Sequence, residues 1–361
     1  MSTDAQTPEH GSEQAEPGLD ARKAAVLTAI VREYVQTAEP VGSKRIVDAY
    51  ELGVSAATVR NEMSALEESG HIAQPHTSAG RVPTDKGYRY FVDALDVVRP
   101  VGTADRLAVE GYLERANDLE DLLRRSSQVL ARLTHYASLV LAPAIDRSRL
   151  KLLELVQLSQ QVAMVLLIAD TGRVVKRIVE LPPGCTEVDV QRARTVLNES
   201  AVGLRMADVP AAVAGLADGA PAELRGLLGE IASSVDIDLG RPVVDRVFVG
   251  GQAALAGEGS FETKDLRRVF ELLEEEETLG RVLAESATLD RPLIRIGEEN
   301  EPIQLRTASI VATGYGDDPP GSLGVLGPTR MDYPTVLAVV RAVAEHLQAT
   351  LRSLTEVPPD G

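Results

Sequence analysis

Between Val54 and Tyr90 the chain reads VSAATVRNEMSALEESGHIAQPHTSAGRVPTDKGYRY, with polar side chains of the kinds that meet base edges and phosphates. At about 100° per residue, Val59, Met63 and Leu66 fall on one side of a helix. Ala57, Asn61 and Ser64 fall opposite, flanked by Thr58 and Arg60 near the N-terminal end. Small residues let a helix sink into a major groove. An Asn amide bridges adenine N6 and N7, an Arg guanidinium bridges guanine O6 and N7, and a Thr methyl meets thymine. On a helix standing alone, Arg60 and Asn61 would be ordinary surface residues, with Arg60 paired to a neighbouring Glu. After this helix comes HIAQPHTSAGRVPT, in which Ile72 and Val82 bracket a short hairpin and Ser78-Ala79-Gly80 forms its tip. His76, Thr77, Ser78 and Arg81 offer side-chain donors there, and the small tip lets backbone N–H groups approach phosphates, contacts that fix register without reading sequence. Thr84 caps the next helix, with Lys86 and Arg89 in its first turns.

Other chemistries find little support. His71 and His76 lie in a region that reads as a solvated loop, without carboxylate or thiolate partners, so no metal site is expected. Cys185 follows Pro182-Pro183-Gly184 in a loop with no nearby His, which argues against a nucleophile. The segment GGQAALAGEG has neither of the spacings by which glycine-rich loops cradle phosphates. The acidic run Glu274–Glu277 reads as the solvated side of a helix. No catalytic residue, metal or cofactor is expected, and the chain does not read as an enzyme.

The elements that must position the 54–90 stretch are short helices. One starts near Asp20, an N-cap, and places Leu27, Ile30, Val31 and Tyr34 on one face; Pro40 stops it. Ser43 caps a second helix, with Lys44 beside it and Ile46, Val47 and Tyr50 on its buried side. Gly53 sits where a chain leaving that helix needs a left-handed residue, and Ser55 caps the third. Two capped helices joined at a short Gly-containing turn match a helix-turn-helix, and any small αα-hairpin matches them as well. With the hairpin added, the layout is that of a winged helix-turn-helix. Ser43, Lys44 and Ser55 join the residues named above as candidate DNA contacts.

The strings RNEMSALEESG and PHTSAGRVPTDKGYRYFV closely resemble the heat-inducible transcription repressor family HrcA of bacteria. The resemblance extends from about Asp20 to Thr355 and is most specific over 54–92. It implies an N-terminal winged helix-turn-helix, a GAF-like domain with an antiparallel sheet, and an inserted dimerisation domain. It further implies an inverted-repeat operator controlling chaperone genes and a chaperonin that sustains the active repressor.

Of the chain's 361 residues, 44% are hydrophobic and 3% aromatic, so its cores must be built from Val, Leu, Ile and Ala. The single cysteine excludes an internal disulfide framework and fits a reducing cytoplasm. The N-terminal twenty residues lack the basic start and apolar run of a secretory signal, and the longest apolar run, Val162–Ala169, is too short to span a bilayer. The net charge of −17 is unevenly spread. Residues 1–20 carry five acids and no Lys or Arg, residues 21–99 carry ten of each sign, and residues 100–361 carry 27 basic against 39 acidic. A neutral DNA reader must therefore gather its cations on one face. Composition makes 1–19 a disordered acidic tail.

The expected fold class is α+β and multidomain, with the DNA-binding domain at 20–99. A long linker helix runs from Thr103 to Val140. Strands at Leu150–Leu158, Gln161–Ala169 and Arg173–Leu181 form a meander that resumes as one split sheet at Leu293–Gly297, Arg306–Tyr315 and Gly321–Gly327 before a final helix, Pro334–Leu354. Residues 100–184 and 276–356 would make the GAF-like domain. The mainly helical interval 185–275 would be the inserted dimerisation domain, or a helical lid over a ligand pocket. The expected function is a homodimeric repressor on double-stranded DNA, since a two-fold dimer demands a palindromic site. The alternative is a regulator whose GAF-like domain senses a metabolite.

Overall fold

The structure, a computed structural model, describes residues 19–76, 79–95, 100–145, 147–239, 246–257, 261 and 263–355. The acidic tail apart from Leu19, the hairpin residues Thr77 and Ser78, and part of the glycine-rich loop lie outside the described residues. The chain divides into two compact units at Ala94–Leu95, five residues before the expected boundary.

The first unit begins with α1 (Ala21–Thr37), α2 (Ser43–Ala49) and α3 (Ala56–Glu68). It continues through strands β1 (Ile72–Ala73) and β2 (Val82–Pro83) into α4 (Asp85–Asp93). Three of these helices start where a short polar side chain can accept from amides that have no partner within the helix. Asp20 accepts from the amides of Arg22 and Lys23, Ser55 from that of Thr58, and Thr84 from that of Gly87. The second helix departs from expectation: Gly42, not Ser43, stands at its N-cap, and no side chain caps it. The α1 helix ends before Pro40, at Ala38 in the left-handed region. Gly53, at φ +64°, makes the turn into α3. Val26, Leu27, Ile30 and Val31 of α1, Ile46 of α2, and Val59, Met63 and Leu66 of α3 are buried.

The second unit opens with α5 (Thr103–Leu113), α6 (Leu119–Thr134) and strand β3 (Ala137–Leu141) where a single long helix was expected. Asp118 caps α6 anew, and His135, at φ +59°, ends it. All five residues of β3 are buried, so the strand carries no apolar–polar alternation to distinguish it from a helix. Next come strands β4 (Leu150–Gln157), β5 (Val162–Ala169) and β6 (Val174–Glu180), and helices α7 (Glu187–Ala201), α8 (Val209–Gly219) and α9 (Ala222–Leu239). The chain continues through β7 (Val247–Gly250), α10 (Thr263–Leu273), α11 (Glu276–Ala287), β8 (Leu293–Ile296), β9 (Ala308–Tyr315), β10 (Gly321–Pro328) and α12 (Tyr333–Thr355).

Among the described residues the strands of the second unit form two sheets, not one split sheet. Five pair antiparallel in the order β7-β3-β10-β9-β8; the meander β4-β5-β6 stands apart. Ala137, Leu139, Ile310, Ala312 and Leu326 of the larger sheet pack with Val269, Leu272, Leu279 and Leu283 of α10 and α11. Residues that alternate with these face α6 and α12: the Ser138 hydroxyl donates to the Ser127 carbonyl at 2.5 Å, and the Ser309 and Tyr333 hydroxyls lie 2.8 Å apart.

The meander has its own core, in which Leu153, Leu155, Val165, Leu167 and Val179 pack with Val190, Leu197, Val213, Leu228 and Ile231 of α7–α9. Asn198 of α7 closes the free edge of β4, accepting from the Leu153 amide at 3.1 Å and donating to the Leu153 carbonyl at 2.6 Å. The expected boundary at 184/185 therefore cuts through one core: the meander belongs with α7–α9, and β7 and α10 with the larger sheet. Among the described residues the other face of the meander stays largely uncovered, with Leu152, Val156, Leu158, Val174 and Ile178 exposed. Among the described residues no helix is long and apolar enough to cross a membrane.

Candidate nucleic-acid interface

The buried side of α3 is the one its spacing predicts, so its opposite side faces water. Ala57, Arg60, Asn61 and Ser64 are exposed, and Thr58 is half-buried. Exposed Ser55 accepts from the Thr58 amide at 3.2 Å, and its hydroxyl lies 3.0 Å from that of Thr58. These two side chains are thus engaged at the helix start, and the Ser64 hydroxyl donates back to the Arg60 carbonyl at 3.2 Å. Arg60 and Asn61 are the longest polar side chains projecting from the middle of that surface.

The hairpin beside α3 is held by backbone. Ile72 pairs with Pro83 and Ala73 with Val82. Beyond them Arg81 pairs with Val41, just ahead of α2, through N–H···O bonds of 2.9 and 2.8 Å. Two glycines make this approach possible. A Cβ on Gly80 would lie 2.5 Å from the Val41 carbonyl, and one on Gly87 would lie 2.1 Å from the His71 carbonyl oxygen. Gly80 is therefore required for packing as well as for a turn.

The charged side chains sort themselves by partner. Lys44, His76 and Lys86 are exposed; Ser43 and Arg89 are half-buried, and Arg89 Nη1 lies 3.3 Å from Asp93. Arg81, expected at phosphates, has its Nη2 and Nε 2.8 and 2.9 Å from Glu67 Oε2 at the end of α3. His71 is buried, against expectation. Its Nδ1 lies 2.9 Å from the Ser69 hydroxyl and its ring meets Tyr90 edge-on at 5.9 Å.

Sequence reasoning missed one charge pair within the helices. Glu33 of α1 is buried, and its Oε1 accepts from Arg45 Nε of α2 at 2.5 Å. The hydrogen bond to Glu33 raises the Arg45 pKa above its ordinary value. Burial, with the Glu33 charge adding to it, pushes the neighbouring Tyr50 phenol up. The available signal was position: Glu33 stands three residues after Ile30, on the apolar face of α1.

A family model described as the HrcA protein C terminal domain matches residues 120–337. The heat-inducible transcription repressor HrcA of Acidothermus cellulolyticus is 45% identical over 331 residues, covering 91% of this chain and 98% of its own. That of Thermobifida fusca is 45% identical over 334 residues, covering 91% and 96%. The crystal structure of a hypothetical protein at 2.2 Å resolution superposes with a TM-score of 0.67 at 26% identity, covering 93% of this chain and 99% of that one. Relatives with these names are transcription repressors, not enzymes, and this chain, matched over nine-tenths of its length, belongs to the HrcA family of heat-inducible transcription repressors.

Proposed function

We propose that the first unit is a winged helix-turn-helix in which α3 enters the major groove of double-stranded DNA and the β1–β2 hairpin is the wing. One observation carries this reading: the exposed surface of α3, with Arg60 and Asn61 at its centre and small residues around them, lies opposite a fully buried Val59–Met63–Leu66 stripe. Arg60 and Asn61 read base edges, and Ala57 and Ser64 keep the helix close to them. Lys44, Lys86 and Arg89 meet phosphates and set the register. The test is a gel-shift assay at stated salt on a duplex carrying an inverted repeat from upstream of chaperone genes. A shift no stronger than that of a random duplex would sink the reading.

The chain acts as a homodimer, because reading an inverted repeat takes two copies related by a two-fold axis. The surface that supports this is the uncovered apolar side of the meander, where Ile178 is 60% and Leu158 54% exposed. The five-stranded sheet with helices on both faces corresponds to the GAF-like domain of the family, and the meander with α7–α9 to its inserted dimerisation domain. The chaperonin sustains the active state, as the family resemblance implies, so that heat relieves repression when damaged proteins occupy it. A regulator near its stability threshold suits such coupling, since small free-energy changes alter its active fraction strongly. Measuring the DNA-binding fraction with and without chaperonin tests this.

A second reading, that the protein also senses an anionic metabolite, rests on a cleft of about 380 Å³ lined by Arg173, Lys176, Arg177 and Arg246 beside Asp118 and Glu120. Glu120 already pairs with Arg246 at 3.0 Å. Inorganic phosphate and small carboxylates should then raise the melting temperature, and no shift at millimolar concentration would remove this reading.

A further inference from the structure

A DNA reader of this kind needs a fixed angle between wing and recognition helix. Few residues are available for the task. Each strand of the hairpin contributes only two residues to the ladder. Two-stranded ribbons of this size are marginal without further support. That support converges on one residue. Arg81 exchanges both backbone hydrogen bonds with Val41, ahead of α2. Gly80 lets that strand close onto the Pro40–Val41 backbone, where a Cβ would lie within 2.5–2.7 Å of backbone atoms. The guanidinium then turns toward α3, with Nε and Nη2 both within 2.9 Å of a single Glu67 oxygen. The Arg81 side chain is 21% exposed and that of Glu67 34%, so the pair is better shielded than an exposed ion pair, whose contribution is small.

We propose that Glu67 and Arg81 are positioning residues: their ion pair fixes the wing against the C-terminal end of α3, and Arg81 affects DNA affinity through that geometry rather than by contacting a phosphate. This proposal rests on the DNA-reader assignment and reverses the expectation for Arg81 from residue type alone. It makes Glu67, an acid in a protein that binds a polyanion, a residue needed for tight binding.

Charge sign separates the two accounts. Removing an anion from a DNA-binding surface should strengthen binding or leave it alone, whereas removing a cation that touches phosphate weakens it and flattens the salt slope by about one unit. Full-length protein would first be used to select its preferred duplex from a randomised pool. If nothing is enriched, the DNA-reader assignment itself fails. With the selected duplex in hand, anisotropy titrations across a salt series would compare Glu67→Gln, Arg81→Ala, Arg81→Glu and the charge swap Glu67→Arg/Arg81→Glu.

Positioning predicts that Glu67→Gln weakens the selected duplex about tenfold, the scale of one side chain failing to reach its base, with no weakening on random DNA. It also predicts an unchanged salt slope for Arg81→Ala and recovery of most affinity in the charge swap. The proposal is overturned if Glu67→Gln binds as tightly as the unmodified protein or more tightly. It is equally overturned if Arg81→Ala flattens the slope by about one unit, or if the swap stays as weak as Arg81→Glu. Circular dichroism melting would accompany each variant. Should Glu67→Gln unfold, the swap, which keeps a salt bridge at the same place, decides alone.

Discussion

On α3 the apolar Val59, Met63 and Leu66 are buried while Ala57, Arg60, Asn61 and Ser64 face water, because helical period and polarity agree there. Replacing Arg60 or Asn61 with Ala should therefore cost about 1–3 kcal/mol of specific binding for each base left unread, with little change on random DNA. Equal weakening on operator and random duplexes would take both residues out of the reading surface. The neighbours of Arg81 and His71 were not legible for a common reason: side-chain type suggests what a residue can do, but the fold decides which neighbours arrive. Glu67, fourteen residues before Arg81, and Tyr90, beyond the hairpin, arrive only once the strands pair. Gly87 carries a similar lesson, since its need is set by the His71 carbonyl across the unit. Gly87→Ala should overpack this approach and destabilise the first unit by about 1–3 kcal/mol, seen as faster amide exchange in α4 and β1; unchanged exchange would mean the backbone yields at no cost.

Among the elements, those with marked ends or clear alternation were readable, and those buried on both faces were not. The caps Asp20, Ser55 and Thr84, the left-handed Gly53 and the alternating β5 follow local rules. Strand β3 lies in the sheet interior between β7 and β10, so its ASLVL run is apolar or small throughout and merged with the helix before it. The Glu33–Arg45 pair is the elementary tie between α1 and α2, and its two ends are unequal: Glu33 is 3% exposed, whereas the Arg45 side chain is 63% exposed. Arg45→Ala strands a buried carboxylate, while Glu33→Gln leaves an arginine that water can still solvate. Removing one partner of a buried pair is destabilising because it leaves the other charge uncompensated, and the exposure of Arg45, with Tyr50 near Glu33, moderates that cost here. Amide exchange in α1 and α2 of the full chain should therefore accelerate more for Arg45→Ala than for Glu33→Gln. The reverse order would show that Glu33 relaxes to solvent once its partner is gone.

At the scale of the whole molecule, the division of the second unit's strands into two sheets changes how the proposed dimer should be tested. Removing residues 185–275 would be the direct route to a monomer if the interval were a self-contained insert. In the fold it would delete α7–α9 from the core they share with β4–β6, together with β7 and α10 of the larger sheet. Loss of the dimer would then report loss of folding. A cleaner test leaves every core intact and changes only side chains on the open side of the meander. Val156 and Ile178 are 40% and 60% exposed in the single chain, so Asp at either position meets water in the monomer and costs little there. In an interface that closes over this side the same carboxylates would be desolvated without partners, a penalty that Asp, buried unpaired, avoids only by taking up a proton. If each substitution costs even about 1.4 kcal/mol of association, the pair weakens the dimer about a hundredfold, since that energy is a factor of ten in Kd. Val156→Asp/Ile178→Asp should therefore run as a monomer in light scattering at micromolar concentration, with its melting curve little changed. Its affinity for a half-site should persist while affinity for the full inverted repeat falls. A persistent dimer with a normal melting curve would move the interface off the meander and onto the larger sheet's helices, and the apolar side of β4–β6 would need another occupant.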